Sequence, residues 1–360
     1  MPLDKIVLIF LPIFILINFF FIKYLPKFFL DRVKDAEFYK PQSFHDISTP
    51  RIGGLLILFL STIFIIFNFF YVKDIFFFKF IIFSAPYFFL GFLADLRVQI
   101  KPHIRLFFIV VISLLLVSYF DIKILSSQIG SLDNLLNNRE IFSIIFVCLC
   151  IAFICNGSNF IDGFNGLLII HSIIIFTILY FVNVLNSNID YISNLIFFLI
   201  TICISVLFFN FPKAKIFLGD GGSYLLGVMI ALTVIETSNL NKMISPFFFA
   251  GILFYIFFEV FFSFFRKIFF NNLSPLKPDK NHLHMLFFKR LNYKINNLEK
   301  SNYFTGLIIN IIYFILILPL LFGYKNMAFC KVYFFLLLII YLLLYIYLHQ
   351  INLKKNNQYI

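Results

Sequence analysis

Along most of this chain apolar residues run without interruption, broken at intervals by short polar stretches. The runs fall near 6–22, 54–71, 75–93, 104–120, 141–158, 164–183, 192–210, 221–237, 246–265, 303–323 and 329–349. Each is close to the roughly 20 residues that an α-helix needs to cross a bilayer. Strands of an outer-membrane barrel would instead alternate in segments of about ten residues. The first run is longer than the apolar region of a signal peptide and lacks a small-residue cleavage site, so it is read as a helix. The pattern predicts an all-α, polytopic integral membrane protein with about eleven transmembrane helices.

Composition agrees: 62% of the 360 residues are hydrophobic and 13% charged, against about 25% charged in soluble domains. A soluble enzyme, a disordered chain and a secreted disulfide scaffold are excluded. The 58 Phe follow an AT-rich codon supply and carry little functional information. The five Cys lie in or beside apolar runs without metal-ligand spacing and are expected to be reduced, packed thiols. Charge orients the chain. Eight Lys/Arg lie at the N-terminus, in the even-numbered gaps or just inside the adjoining helices; the other 21 lie on the opposite side. By the positive-inside rule the N-terminus is outside and the C-terminus cytoplasmic. Residues 1–360 read as a single membrane domain with a basic cytoplasmic loop at 266–302, an unstructured tail at 351–360, and an outer loop at 121–140 with room for a short interfacial helix.

Chemistry is sought where the membrane penalises it. A carboxylate at a helix centre costs about 2.5–3.5 kcal/mol even on the lenient insertion scale. Asp95, Asp162 and Asp220 each lie beside or within an apolar run and next to, or a few residues from, glycine. All three fall at cytoplasmic helix ends in a topology fixed from Lys and Arg alone. Asn159, Asp162 and Asn165 are spaced by three, so a helix would project neighbouring members to one side. Gly219, Gly221 and Gly222 flank Asp220 where a helix starts, so backbone N–H groups face an anion there. A hard cation such as Mg²⁺ takes one or two carboxylates plus substrate phosphates, with Asp220 first and Asp162 second as ligands. His282 and His284 lie in a Pro-rich loop with Lys277, Asp279 and Lys280, better suited to phosphate or ribose than to a transition metal; His45 approaches from another loop.

Five segments in fixed order carry a resemblance: STPRIGG (48–54), the GxxxDL of 91–96, NGSNFIDGFNGL (156–167), FNxP…IFLGDGGS (209–223) and SPLKPDKNHLHML (274–286). Over about residues 40–300 the chain resembles the polyprenyl-phosphate N-acetylhexosamine-1-phosphate transferases, the MraY/WecA family, and within it the branch that initiates O-antigen and related glycans. The resemblance implies ten or eleven helices in a bacterial inner membrane and an active site on the cytoplasmic face. It implies transfer of a sugar phosphate from a UDP-sugar to undecaprenyl phosphate with release of UMP. It also implies Mg²⁺, with Mn²⁺ as an alternative, bridging the diphosphate. By position Asp220 matches the metal-binding Asp, and Phe217 an aromatic that stacks on uracil. Asn159, Asp162 and Asn210 match pocket residues, Thr49 the residue before the Pro of the first motif, and His282 and His284 the loop histidines near the diphosphate. Asp95 and Asp162 are the catalytic candidates; Gly219, Asn165, Lys101 and His45 join the substrate-binding set. Lipid and nucleotide sugar are the expected partners, without nucleic acid; a homodimer is compatible.

This chain departs from the family pattern at four places. Ala94–Asp95 replaces two adjacent acids, Met285 stands where many relatives have another His, Asn165 replaces an acid of the peptidoglycan branch, and Gln42 replaces a common basic residue. The alternatives are a phospho-MurNAc-pentapeptide transferase, an impaired relative that only binds its ligands, and a secondary transporter using the acids as ion sites.

Overall fold

The computed structural model describes residues 3–29, 34–35, 49–71, 75–186, 190–269, 274 and 280–356. Fourteen helices account for nearly all of them: α1 Leu3–Phe29, α2 Gly53–Tyr71, α3 Ile75–Asp95, α4 Pro102–Phe120, α5 Gly130–Asn138, α6 Glu140–Ile161, α7 Leu167–Leu185, α8 Asp190–Asn210, α9 Gly219–Leu240, α10 Pro246–Ile252, α11 Phe254–Phe269, α12 Leu283–Ile295, α13 Leu298–Phe322 and α14 Met327–Asn356. Two short pieces, β1 Lys34–Asp35 and β2 Thr49–Pro50, pair antiparallel. All eleven apolar runs fall on helices. Eight described helices are long and apolar enough to span a membrane, one further span is bent, and α1 and α2 contribute shorter apolar stretches.

Three expectations are corrected. The run 246–265 is not one straight helix: α10 and α11 meet at a 72° bend. Ser245 caps α10 with a side chain that accepts from Phe247 N, Pro246 starts the helix, and Leu253 ends it before α11 begins. Part of the loop 266–302 is helical. Within it lies α12, whose Leu283, Met285, Leu286 and Phe288 are buried, so an apolar face is what makes this polar segment fold. The polar tail is helical as far as Asn356, continuing the span before it. The outer-loop helix is found as α5, and all five Cys are free thiols.

At the centre of the bundle is α9, with 78% of its apolar window buried, whereas α4 and α14 bury 17% each and form the rim. Its most extensive neighbours are α3 and α6. In lipid no hydrophobic force draws helices together, so close packing and polar contacts do that work. Gly54 of α2 lies against the backbone of Gly222 in α9; a Cβ on Gly54 would come within 2.3 Å of Gly222 N. Polar ties cross the interior at Asn18–Ser205 (3.0 Å), Tyr87–Ser113 (2.8 Å) and His171–Asn310 (3.2 Å). The large apolar residues on the outside, such as Phe107, Leu115 and Val332, face what a bilayer would supply.

Candidate active site

One end of the bundle gathers the C-terminal ends of α3 and α6 and the N-terminal end of α9. Asp95, the last residue of α3, is 3% exposed. Its two carboxylate oxygens accept from the backbone N–H groups of Asp220 and Gly221, both at 2.9 Å. It therefore caps α9 from another helix, satisfying N–H groups that the first turn leaves without an intrahelical partner. Arg51 lies 3.8 Å from Asp95 Oδ1. Gly219, with φ +75°, is pressed against this carboxylate: a Cβ there would lie 2.5 Å from Asp95 Oδ2.

Held by that cap, Asp220 turns its own side chain outward, 27% exposed. Arg105 Nη1 of α4 forms an ion pair with Oδ2, and Asn159 Nδ2 donates to Oδ1 at 3.2 Å. The Asn159 amide also donates to Ser223 Oγ at 2.9 Å. Asp162 follows immediately after α6, half-buried. Loss of hydration pushes its carboxyl up to about 8, the Asp220 carboxylate adds to that effect, and Arg51 opposes it. A cation shared between the two side chains would ease the cost of ionising Asp162. Among the described residues no three His, Cys, Asp or Glu side chains close on one point. The donor chemistry is that of a hard cation completed by water and phosphate oxygens rather than of a protein cage, and to that extent the site fits Mg²⁺.

The first motif docks here through its backbone. Phe217 N donates to Pro50 O at 2.9 Å, while Gly53 N and Gly54 N donate to Phe217 O and Leu218 O at 2.9 and 3.0 Å. Thr49 is buried, and Phe217 is partly exposed beside the start of α9. His282 and His284 are buried, with rings stacked at 5.4 Å and 7°. Their edges meet Phe160 at 5.3 Å and Phe164 at 5.8 Å respectively. The histidine pair thus rests on the turn that carries Asp162.

Other candidates stand elsewhere. Asn159, Asp162 and Asn165 do not share a helix face, because α6 ends at Ile161 and the chain turns. Asn165 is spent on architecture, donating to Pro212 O at 2.9 Å while its N–H binds Asn302 Oδ1 at 2.8 Å. Asn210 likewise accepts from Gly166 N at 2.7 Å and donates to Ile216 O at 2.9 Å. Together they lock the Asp162 turn to the segment leading into α9. Lys101 is exposed at the start of α4; the cation that reaches Asp220 is Arg105, one turn further on. His45 lies outside the described residues.

Sequence reasoning passed over Arg105, Arg51, Ser223 and Glu259. Arg105 and Glu259 both interrupt apolar runs, so the rule that singled out the three aspartates would have found them. Arg51 and Ser223 sit inside STPRIGG and IFLGDGGS but carry no signal of their own.

Residues 77–238 match the model of glycosyl transferase family 4. An undecaprenyl-phosphate α-N-acetylglucosaminyl 1-phosphate transferase of Thermotoga maritima is 26% identical over 257 residues, 69% of this chain and 70% of that protein. A phospho-N-acetylmuramoyl-pentapeptide-transferase of Dictyoglomus turgidum is 31% identical over 249 residues, 65% of this chain and 74% of that protein. A probable undecaprenyl-phosphate N-acetylglucosaminyl 1-phosphate transferase of Bacillus subtilis is 33% identical over 141 residues, 38% of each chain. The chain belongs to glycosyl transferase family 4, whose matched region contains Asp95, Asp162 and Asp220.

Proposed function

We propose that this protein transfers a sugar 1-phosphate, of an N-acetylhexosamine or a derivative, from a UDP-sugar to undecaprenyl phosphate. The observation that carries this reading is the convergence of Asp220, Asn159, Arg105 and the Asp162 turn at one end of the bundle, beside the buried histidine pair. An oxygen of the lipid phosphate attacks the β-phosphorus of the UDP-sugar. The bond from that phosphorus to the bridging oxygen breaks, and the electron pair leaves with UMP. A phosphomonoester is largely dianionic at neutral pH, its second pKa being near 6, so attack needs no strong base. Single displacement follows, without a covalent intermediate on Asp162.

Phosphoryl transfer depends mainly on positioning and on neutralising charge. Asp220 and Asp162 would hold Mg²⁺, which when bound supplies charge neutralisation at the diphosphate. Arg105, paired with Asp220, is placed to share that charge with an incoming phosphate. Phe217 offers a partly exposed ring for the base. Asp95 serves in this reading as the cap that aims Asp220, and with both oxygens on backbone amides it is not the group that meets the lipid phosphate. The basic end carrying the site faces the cytoplasm, in a bacterial inner membrane.

Purified protein given undecaprenyl phosphate, Mg²⁺ and a panel of UDP-N-acetylhexosamines and UDP-MurNAc-pentapeptide is expected to release UMP only when lipid is present. Formation of lipid-diphospho-sugar with one member names the donor and decides between the two kinds of relative. Nucleotide binding without UMP release from any donor would leave an impaired relative, consistent with Ala94, and overturn the transfer reading. For Asp95→Asn, the introduced amide N–H₂ opposes a backbone N–H. Thermal stability in detergent is expected to fall by roughly 1–3 kcal/mol together with transfer. Lost transfer at unchanged stability would return Asp95 to a catalytic role.

A further inference from the structure

Glu259 lies in the middle of α11, inside the apolar sequence FFEVFF, and is 1% exposed. A carboxylate so placed is costly unless it is partnered. Its partners are specific. Oε1 lies 2.9 Å from His282 Nδ1 and accepts the Leu283 backbone N–H at 3.1 Å; Oε2 accepts the Tyr341 hydroxyl at 2.5 Å. One side chain thereby ties α11 and α14 to the start of α12. An ionised carboxylate only accepts, so this geometry places the hydrogen of His282 on Nδ1. Nε2 is then the ring nitrogen turned away from Glu259. The ring is further fixed by stacking on His284 and by Phe160, two residues before Asp162.

We propose that Glu259 is the positioning residue of the histidine pair. By holding the Nδ1–H of His282 it sets tautomer and ring orientation, so that Nε2 is presented to the diphosphate of the nucleotide sugar. A carboxylate behind an imidazole fixes its tautomer and orientation in the same way at metal centres. The inference rests on the transfer reading above. It explains why a charge persists inside a membrane-embedded helix and why the bend between α10 and α11 matters: the bend sets the course of the helix that carries Glu259 to His282.

The test is a double-variant cycle in full-length protein. Glu259→Gln preserves volume and is expected to lower kcat for UMP release by roughly 10–100-fold, with KM for the donor changed by less than about threefold. His282→Ala should cost a similar factor, and adding Glu259→Gln to it should cost nothing more, because the carboxylate acts through that ring. Tyr341→Phe, which leaves the His282 contact intact, should stay within about threefold of wild type. Losses that multiply in the double variant, or a wild-type-like Glu259→Gln, overturn the proposal. ¹⁵N-histidine spectra give a readout without turnover. A protonated Nδ1 signal, assigned by its loss in His282→Ala, is expected in wild type and displaced in Glu259→Gln. Its absence from wild type overturns the tautomer assignment whatever the activity. A wild-type protein that shows the signal but releases no UMP overturns the transfer reading, and with it the catalytic half of this proposal.

Discussion

Replacing Asp220 by Asn abolishes transfer, lowering lipid-linked product by roughly 10³-fold or more, the scale on which groups that stabilise transferred charge are felt. The exchange keeps shape and removes one negative charge. The Arg105 guanidinium loses its ion pair, and the one remaining oxygen can face either Asn159 or Arg105 while the introduced N–H₂ opposes the other. The carboxylate pair with Asp162 is broken as well, so cation affinity at the site is expected to fall with the rate. Because the Arg105 and Asp220 side chains keep 21% and 27% of their surface exposed, water can still solvate the unpaired guanidinium, and the variant should fold. Radiolabelled sugar recovered in the lipid fraction measures the loss, and Asp162→Asn is expected to behave alike. Wild-type rates in either variant would remove that aspartate from the mechanism.

Gly219→Ala is expected to be nearly as damaging by a different route. Gly219 has φ +75°, a region that costs an L side chain about 1 kcal/mol. Its Cβ would meet Asp95 Oδ2 at 2.5 Å and Cγ at 2.7 Å. Asp95 is 3% exposed, with both oxygens committed to the N–H groups of Asp220 and Gly221, so it has no open space to move into. Displacing it strands a buried charge and uncaps α9, at about 1.5–3 kcal/mol for each charged hydrogen bond lost. A total of roughly 4–7 kcal/mol should appear as a large drop in melting temperature in detergent, with transfer lost because Asp220 is no longer aimed. Gly130, where an added Cβ would meet nothing within 4 Å, is the control: Gly130→Ala should stay within about 0.5 kcal/mol of wild type. A Gly219→Ala protein as stable and active as wild type would refute the cap.

The helices were legible in the sequence because an interior without water obliges every span to satisfy its own backbone, leaving long apolar runs in plain view. The three aspartates were legible because lipid makes a carboxylate conspicuous. Ranking them was not. Asp95 and Asp220 look alike in the string, each an acid near glycine at a helix end. One proves to be a buried cap and the other an outward-facing ligand candidate, a difference set by which backbone N–H groups the fold brings within hydrogen-bond reach. Asn165 and Asn210 fit a pocket motif, yet their amides close a turn.

The sequence by itself determined that this is a polytopic helical membrane protein, where its spans lie, and which few segments bear chemistry. Those properties follow from solvent preference and period, which are local. Only the tertiary structure decided that Arg105 faces Asp220, that α10 and α11 part at a 72° bend, and that Glu259 of α11 reaches His282 across the bundle. The two side-chain pairings join residues 115 and 23 positions apart, and they depend on which helices pack side by side, which no local pattern encodes.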